Sequence, residues 1–273
     1  MDYSFAILAG AVQGLTEFIP ISSSAHLILL HDILKFDLPD NLSFDAILHL
    51  GTFFALLIFF WREALGLAKG FFSSLTNWNL RNDANQRLAW LVIIGSIPAA
   101  VAGMLLNDFI ENSLHEGKAA IAVIAAMLFS VAILFWLAEK YSKQAIGMNM
   151  IGWRQSLICG LAQAVALIPG VSRSGITIIA GMGQKLKREE AAKFSFLLSM
   201  PVIFGAGAKS LLKVRLDNEI NSTVLALGFL SSLVFGYLAV KYFLKYLGGH
   251  SLSAFAWYRV ILAAALVSWL ILS

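Results

Sequence analysis

Charge is what this chain has least of. Lys, Arg, Asp and Glu make up 13% of its 273 residues, against about a quarter in ordinary soluble domains. Hydrophobic residues account for 59% and the mean hydropathy is +0.79, which excludes a soluble globular protein and identifies an integral membrane protein. There is a single cysteine, Cys159, in an apolar segment. An internal disulfide is therefore excluded, and nothing follows about redox compartment. The N-terminus lacks a basic stretch followed by a small-residue cleavage motif, so no removable signal peptide is expected. The net charge of +4 does not point to nucleic acid, because the basic residues gather between the apolar runs, where they serve as interfacial anchors.

What the chain does have is long apolar runs. A hydrocarbon core of roughly 30 Å needs a helix of about 20 residues. Residues 44 to 61, 88 to 106, 119 to 138, 223 to 240 and 254 to 272 meet this, and a sixth run from Phe194 to about Leu212 contains Pro201 and Lys209. Six crossings are expected.

Two further apolar segments, residues 3 to 34 and 151 to 184, are each interrupted halfway by a proline followed by serines, "IPISSSAH" and "IPGVSRSG". Proline removes a backbone donor and breaks a helix. The pieces beyond the breaks run only ~10 residues, about half the core. Each segment is expected to be a re-entrant helix-loop-helix, with irregular backbone lining a shared cavity. At an offset of 150, Gly10, Gln13, Ser22 and Ser24 match Gly160, Gln163, Ser172 and Ser174, and Phe44, Leu48 and Phe54 match Phe194, Leu198 and Phe204. A broken hairpin followed by three spans, repeated once, inverts the second half. The expected fold class is an all-α polytopic membrane protein, with six transmembrane helices plus two re-entrant hairpins in an inverted-topology repeat. The halves are approximately 1–142 and 147–273. Of the 20 Lys and Arg residues, 13 fall in connections on one side (62–87, 139–154, 185–193 and 241–253). The positive-inside rule makes that side cytoplasmic and puts both termini outside.

The polar residues cluster at the breaks. Gln13 and Glu17, four apart, share a helix face below the first break. A carboxylate there can ligate a divalent cation or act as a base. Ser22, Ser23 and Ser24 open a half-helix whose backbone N–H groups favour an anion. Ser172, Ser174 and Gly175 repeat that geometry around Arg173, whose guanidinium binds phosphate with a two-pronged fork. His26, one turn on, is a candidate general acid, base or nucleophile. Asp45 reads as a first-turn acid after Ser43, and His49 as a supporting residue behind the site. Gln163 and Thr177 are weaker candidates, Thr177 being counted with the substrate-binding residues. Arg259 is read as pairing with Glu17 or another acid, or as snorkelling to the interface. One positive charge, one carboxylate, one histidine and two anion-binding helix ends around a membrane cavity fit an amphiphile with an anionic head and a lipid tail.

"QGLTEF" with "PISSSAH", then "PGVSRSG" about 150 residues later, together with "FDAILHLGTFFA" and "FSFLLSMP", resembles the undecaprenyl-diphosphate phosphatase family of the bacitracin-resistance type over essentially the whole chain. The family's (E/Q)xxxE motif falls on Gln13 and Glu17, its serine-histidine motif on Ser22 to Ser24 and His26, and its PGxSRSG motif on Pro169 to Gly175. Ala25 stands where a glycine is expected. The resemblance implies a phosphatase of the bacterial cytoplasmic membrane that hydrolyses undecaprenyl diphosphate to undecaprenyl phosphate and inorganic phosphate. That reaction recycles the lipid carrier for peptidoglycan synthesis. It also implies a divalent cation such as Mg²⁺ or Ca²⁺, ligated by Glu17 and Gln13, and a site open to the periplasm or exterior. Glu17, Ser23, His26 and Arg173 are the expected catalytic residues, with attack by Ser23, by His26 or by water left open. The rival is a transporter of a polyprenyl phosphate lipid using the same midplane site. The sequence leaves the oligomeric state open, a homodimer included.

Overall fold

The structure, a computed structural model, describes residues 3–33, 41–114, 117–213 and 221–272, and the side chains of these except 32–33, 41–43, 107–114 and 208–213. The described residues are all-helical, with no strand. In chain order the helices are α1 (Tyr3–Phe18), α2 (Ser23–Ile28), α3 (Asn41–Phe59), α4 (Trp61–Thr76), α5 (Ala84–Leu114), α6 (Gly117–Tyr141), α7 (Trp153–Val165), α8 (Arg173–Gly183), α9 (Arg188–Lys213), α10 (Ser222–Leu247) and α11 (Ser253–Leu272). Parts of the connections between α2 and α3, α5 and α6, and α9 and α10, and the side chains of Ser43, Lys209 and Leu212, lie outside the described residues.

Among the described residues Ala84–Leu106, Gly117–Tyr141, Ser222–Leu247 and Ser253–Leu272 are long and apolar enough to cross a membrane. Their large apolar side chains point outward, Met104, Leu105, Ile261 and Ile271 each being more than two-thirds exposed. Exposure on that scale is stable only in hydrocarbon, so this is a multi-pass membrane protein. The expected crossing over 44 to 61 is α3, but the chain does not pass into a loop there. It turns by 85° at Phe60 into α4, a second helix in a stretch that hydropathy reads as a charged connection. The sequence of α4 explains its course. Trp61, Leu65, Phe72 and Leu75 form an exposed apolar stripe. On the other face Gly70 and Ser74 press against the start of α5, where Trp90 Nε1 donates to Ser74 Oγ at 3.0 Å. The sixth expected span falls within α9, which carries Pro201 inside it.

Helix pairing follows small residues. α1 packs on α10, and α7 packs on α5. At Gly10 a Cβ would stand 2.5 Å from the Gly228 carbonyl oxygen; at Gly160, its counterpart 150 residues on, a Cβ would collide with the backbone of Gly95. Without side chains at these points the backbones meet, and serines bond across the seams. Ser231 donates to the Ile7 carbonyl and Ser232 to that of Leu48, each at 2.7 Å, while Ser156 donates to the Leu91 carbonyl at 2.5 Å. Such close small-residue contacts hold helices together where lipid removes the hydrophobic driving force. α3 lies between α10 and α9, and α6 against α11. An aromatic core of Phe18, Phe60, Phe135, Phe196 and Phe243 backs the two breaks.

Candidate active site

Each break is built the same way. α1 stops at Phe18 ahead of Pro20, and α2 restarts at Ser23; α7 stops at Val165 ahead of Pro169, and α8 restarts at Arg173. The residue opening each half-helix, Ser22 or Ser172, has a positive φ of 76° or 70°, and its hydroxyl caps the helix by accepting from Ala25 N–H at 3.4 Å or Gly175 N–H at 3.2 Å. A side-chain-bearing residue held at positive φ is strained, and such strain concentrates at functional sites. The next serine but one bonds its capping neighbour in both cases, Ser22 to Ser24 at 3.1 Å and Ser172 to Ser174 at 3.3 Å. Gly170 N–H donates to Ser24 Oγ at 3.4 Å, joining one break to the other.

A cavity of about 240 Å³ lies between the breaks, below the usual ~300–1,000 Å³ of whole-ligand pockets. Its polar lining is Glu17, Ser22, Ser23, Ser24, His49, Ser172 and Arg173, and its apolar wall comes from α3 and α9 with Ala46, Val202, Ile203 and Ala206. A polar floor against an apolar wall suits a charged headgroup with its tail running out between helices.

Glu17 is the hub. Arg173 Nη2 donates to its Oε1 at 2.8 Å, closing an ion pair across 156 residues of sequence. Its Oε2 accepts from Ser23 Oγ at 2.7 Å and from Gln13 Nε2 at 3.0 Å. A second guanidinium nitrogen, Arg173 Nη1, is buried without a partner among the described residues, leaving one arm of the fork unused. Gln13 Nε2 also lies 2.9 Å from His49 Nδ1, which brings His49 within 3.8 Å of Glu17.

The structure thus brings Gln13, Glu17, Ser23 and Arg173 together, with Ser22, Ser24 and Ser172 lining the same cavity. The remaining candidates lie elsewhere. His26 is absent from the cavity lining. Its Nδ1 donates to the Ser22 carbonyl at 2.7 Å, its Nε2 lies 2.6 Å from the Tyr258 hydroxyl, and the two rings stack. Because a carbonyl only accepts, Nδ1 carries the proton and Nε2 accepts from tyrosine. Thr177 donates back to the Arg173 carbonyl at 2.7 Å and lies 2.5 Å from Ser195 Oγ, so it braces the first turn of α8. Ser174 and Gly175 are buried behind that turn. Gln163, counterpart of Gln13, is buried, and its amide has no hydrogen-bond partner among the described residues. Asp45 lies 3.5 Å from His31 and does not line the cavity.

Arg259 departs furthest from expectation. It neither pairs with an acid nor reaches an interface; it is fully buried. Its guanidinium donates to the carbonyls of Pro20 at 3.3 Å, Gly170 at 2.8 Å and Val171 at 3.1 Å, and to those of Leu128 and Met127 on α6 at 3.2 and 3.3 Å. Chain breaks free carbonyls that hydrocarbon cannot satisfy, and one arginine serves both breaks. The signal present in the sequence was an arginine in a last span that itself carries no acid.

The described residues hold no group of three or more His, Cys, Asp or Glu side chains able to bind a metal ion. Both Glu17 oxygens already accept from protein donors, one of them a guanidinium. This arrangement does not fit a cation resident on Glu17 and Gln13.

Fold and site together define a polytopic helical membrane protein with an anion-receiving cavity between two broken helices. Residues 6–265 match the family described as bacitracin resistance protein BacA. The chain is 44% identical over 270 residues to the undecaprenyl-diphosphatase of Rubrobacter xylanophilus, covering 98% of each chain. It is 42% identical to that of Thermomicrobium roseum and 39% identical to that of Methanosphaera stadtmanae, with 96% of each chain covered in both comparisons. The chain belongs to the BacA family.

Proposed function

We propose that this protein is an undecaprenyl-diphosphate phosphatase, a hydrolase that cleaves the phosphoanhydride of undecaprenyl diphosphate to release undecaprenyl phosphate and inorganic phosphate. It thereby returns the lipid carrier to peptidoglycan synthesis. The observation that carries the reading is Ser23 Oγ–H donating to Glu17 at 2.7 Å while Arg173, paired to the same carboxylate, keeps one guanidinium nitrogen free. A nucleophile bonded to a base beside an unsatisfied cation is a phosphoryl-transfer arrangement. Ser23 attacks the terminal phosphorus as Glu17 takes its proton. The anhydride bond to the lipid phosphate breaks, and water then releases phosphate from the serine. Arg173 and the N–H groups opening α2 and α8 hold the phosphate oxygens, with Ser22, Ser24, Ser172, Ser174 and Gly175 shaping those turns. His26 acts through the Ser22 carbonyl, fixing the turn that carries Ser23. A divalent cation, Mg²⁺ or Ca²⁺, belongs to the reading as a companion of the diphosphate, and no step depends on it. Transport of a polyprenyl phosphate is not favoured, since each relative named above is called a diphosphatase.

The reading extends to topology: six crossings and two re-entrant hairpins in inverted halves, 1–142 and 147–273, with both termini outside. The membrane is the bacterial cytoplasmic membrane, and the cavity opens to the exterior. The reciprocal seams of α1 on α10 and α7 on α5, and the matched Ser22 and Ser172 caps, support the repeat.

The test is phosphate release from undecaprenyl diphosphate by purified protein in detergent, with acid-quenched trapping of a phosphoenzyme. Phosphate on Ser23, absent in Ser23→Ala, is expected. Turnover by Arg173→Ala at the wild-type level would sink the scheme.

A further inference from the structure

The imidazole in the cavity is that of His49, and its protonation pattern is set by its neighbours. Glu17 receives Arg173 on one oxygen and Ser23 on the other, so it is an ionised, acceptor-only group. Gln13 therefore has to turn its NH₂ toward Glu17. The same nitrogen faces His49 Nδ1 at 2.9 Å, and its second hydrogen goes there. The cost of this orientation is visible: Gln13 Oε1 is left buried with no partner among the described residues. Rotating the amide would satisfy that oxygen against a protonated Nδ1 but would forfeit the bond to the carboxylate. Nδ1 is thus an acceptor, and the ring proton sits on Nε2.

We propose that His49 is a further catalytic residue, a neutral imidazole whose Nε2–H donates to an oxygen of the substrate's diphosphate. The ring lines the same cavity as Arg173 and its side chain is about two-fifths exposed, and Nε2 bonds to none of the described residues. The chain Arg173–Glu17–Gln13–His49 then ties two donor-bearing side chains, the Arg173 guanidinium and the His49 imidazole, to one cavity. A neutral donor stabilises charge developing on phosphate oxygens without adding a second cation beside Arg173. The inference rests on the phosphatase reading for its substrate, and its experiment separates the two.

Three measurements decide it. Nitrogen-15 spectra of histidine-labelled protein, assigned with His49→Gln, should show Nδ1 unprotonated and Nε2 protonated. A protonated Nδ1 would overturn the proposal. In detergent, His49→Ala should lower kcat for lipid diphosphate hydrolysis about 30-fold or more. His49→Gln, whose amide can both accept from Gln13 and donate to substrate, should stay within about fivefold of wild type. Equal losses in the two variants with unchanged thermal melts, or no loss in His49→Ala, would refute a donor role. If the wild-type protein hydrolyses no lipid diphosphate, the phosphatase reading falls and calorimetry with inorganic diphosphate decides His49 alone: weaker binding by His49→Ala supports it, equal binding overturns it.

Discussion

Replacing Arg259 by methionine tests how the two breaks are held in register. The side chains are similar in length, but methionine has no donors. Leu128 and Met127 lie inside α6, and their carbonyls keep helical partners. The carbonyls of Pro20, Gly170 and Val171 accept from no other protein donor among the described residues, so three buried acceptors would be orphaned. Each costs about 1–3 kcal/mol, together about 3–9 kcal/mol. Removing a guanidinium from a buried site returns part of this, because its own desolvation cost of several kcal/mol disappears. A net penalty of about 3–5 kcal/mol corresponds to a fall of roughly 10²–10⁴ in the population of the native break geometry. None of the carbonyls Arg259 bonds belongs to a cavity-lining residue, so the loss should appear in kcat and KM together, with the far-ultraviolet helix signal preserved. Arg259→Lys, with three donors on one nitrogen, should recover part of the activity. The measurement is steady-state phosphate release beside circular dichroism of the same preparations. Activity of Arg259→Met within threefold of wild type would refute the reasoning.

Glu17→Gln should abolish turnover yet tighten binding of inorganic diphosphate severalfold, because Arg173 loses its ion-pair partner; calorimetry showing weaker binding would contradict the hub assigned to Glu17. Gly10→Ala should lower the melting temperature by several degrees, since the added methyl meets the Gly228 carbonyl at 2.5 Å, whereas Gly205→Ala should be neutral because nothing lies within 4 Å. The buried Cys159 leaves a quiet background for cysteine labelling. Exposed Asn77 and Gly249, changed to cysteine, should resist an impermeant maleimide in intact cells, while Ser222→Cys should react. The reverse pattern would invert the proposed topology.

Much of this protein was legible in its sequence, because the information was local. Hydropathy identifies a helical membrane protein. Pro20 and Pro169 mark the two breaks, and the serines after them mark the caps, since a proline breaks the helix it sits in and a hydroxyl caps the turn beside it. The four-residue spacing of Gln13 and Glu17 likewise predicted a shared face. What the sequence left undecided depends on which helix packs on which. Periodicity does not reveal that α4 folds back on α5, that Glu17 meets Arg173 across 156 residues, or that Arg259 ends among the carbonyls of both breaks. The two histidines exchange the places the sequence suggested for them: α2 turns His26, the expected catalytic one, toward Tyr258, while α3, wedged between α10 and α9, turns His49, read as a supporting residue, into the cavity. A helix presents its residues in a fixed order around its axis, but the direction of each face is set by its neighbours, and at this site those neighbours come from the other half of the chain.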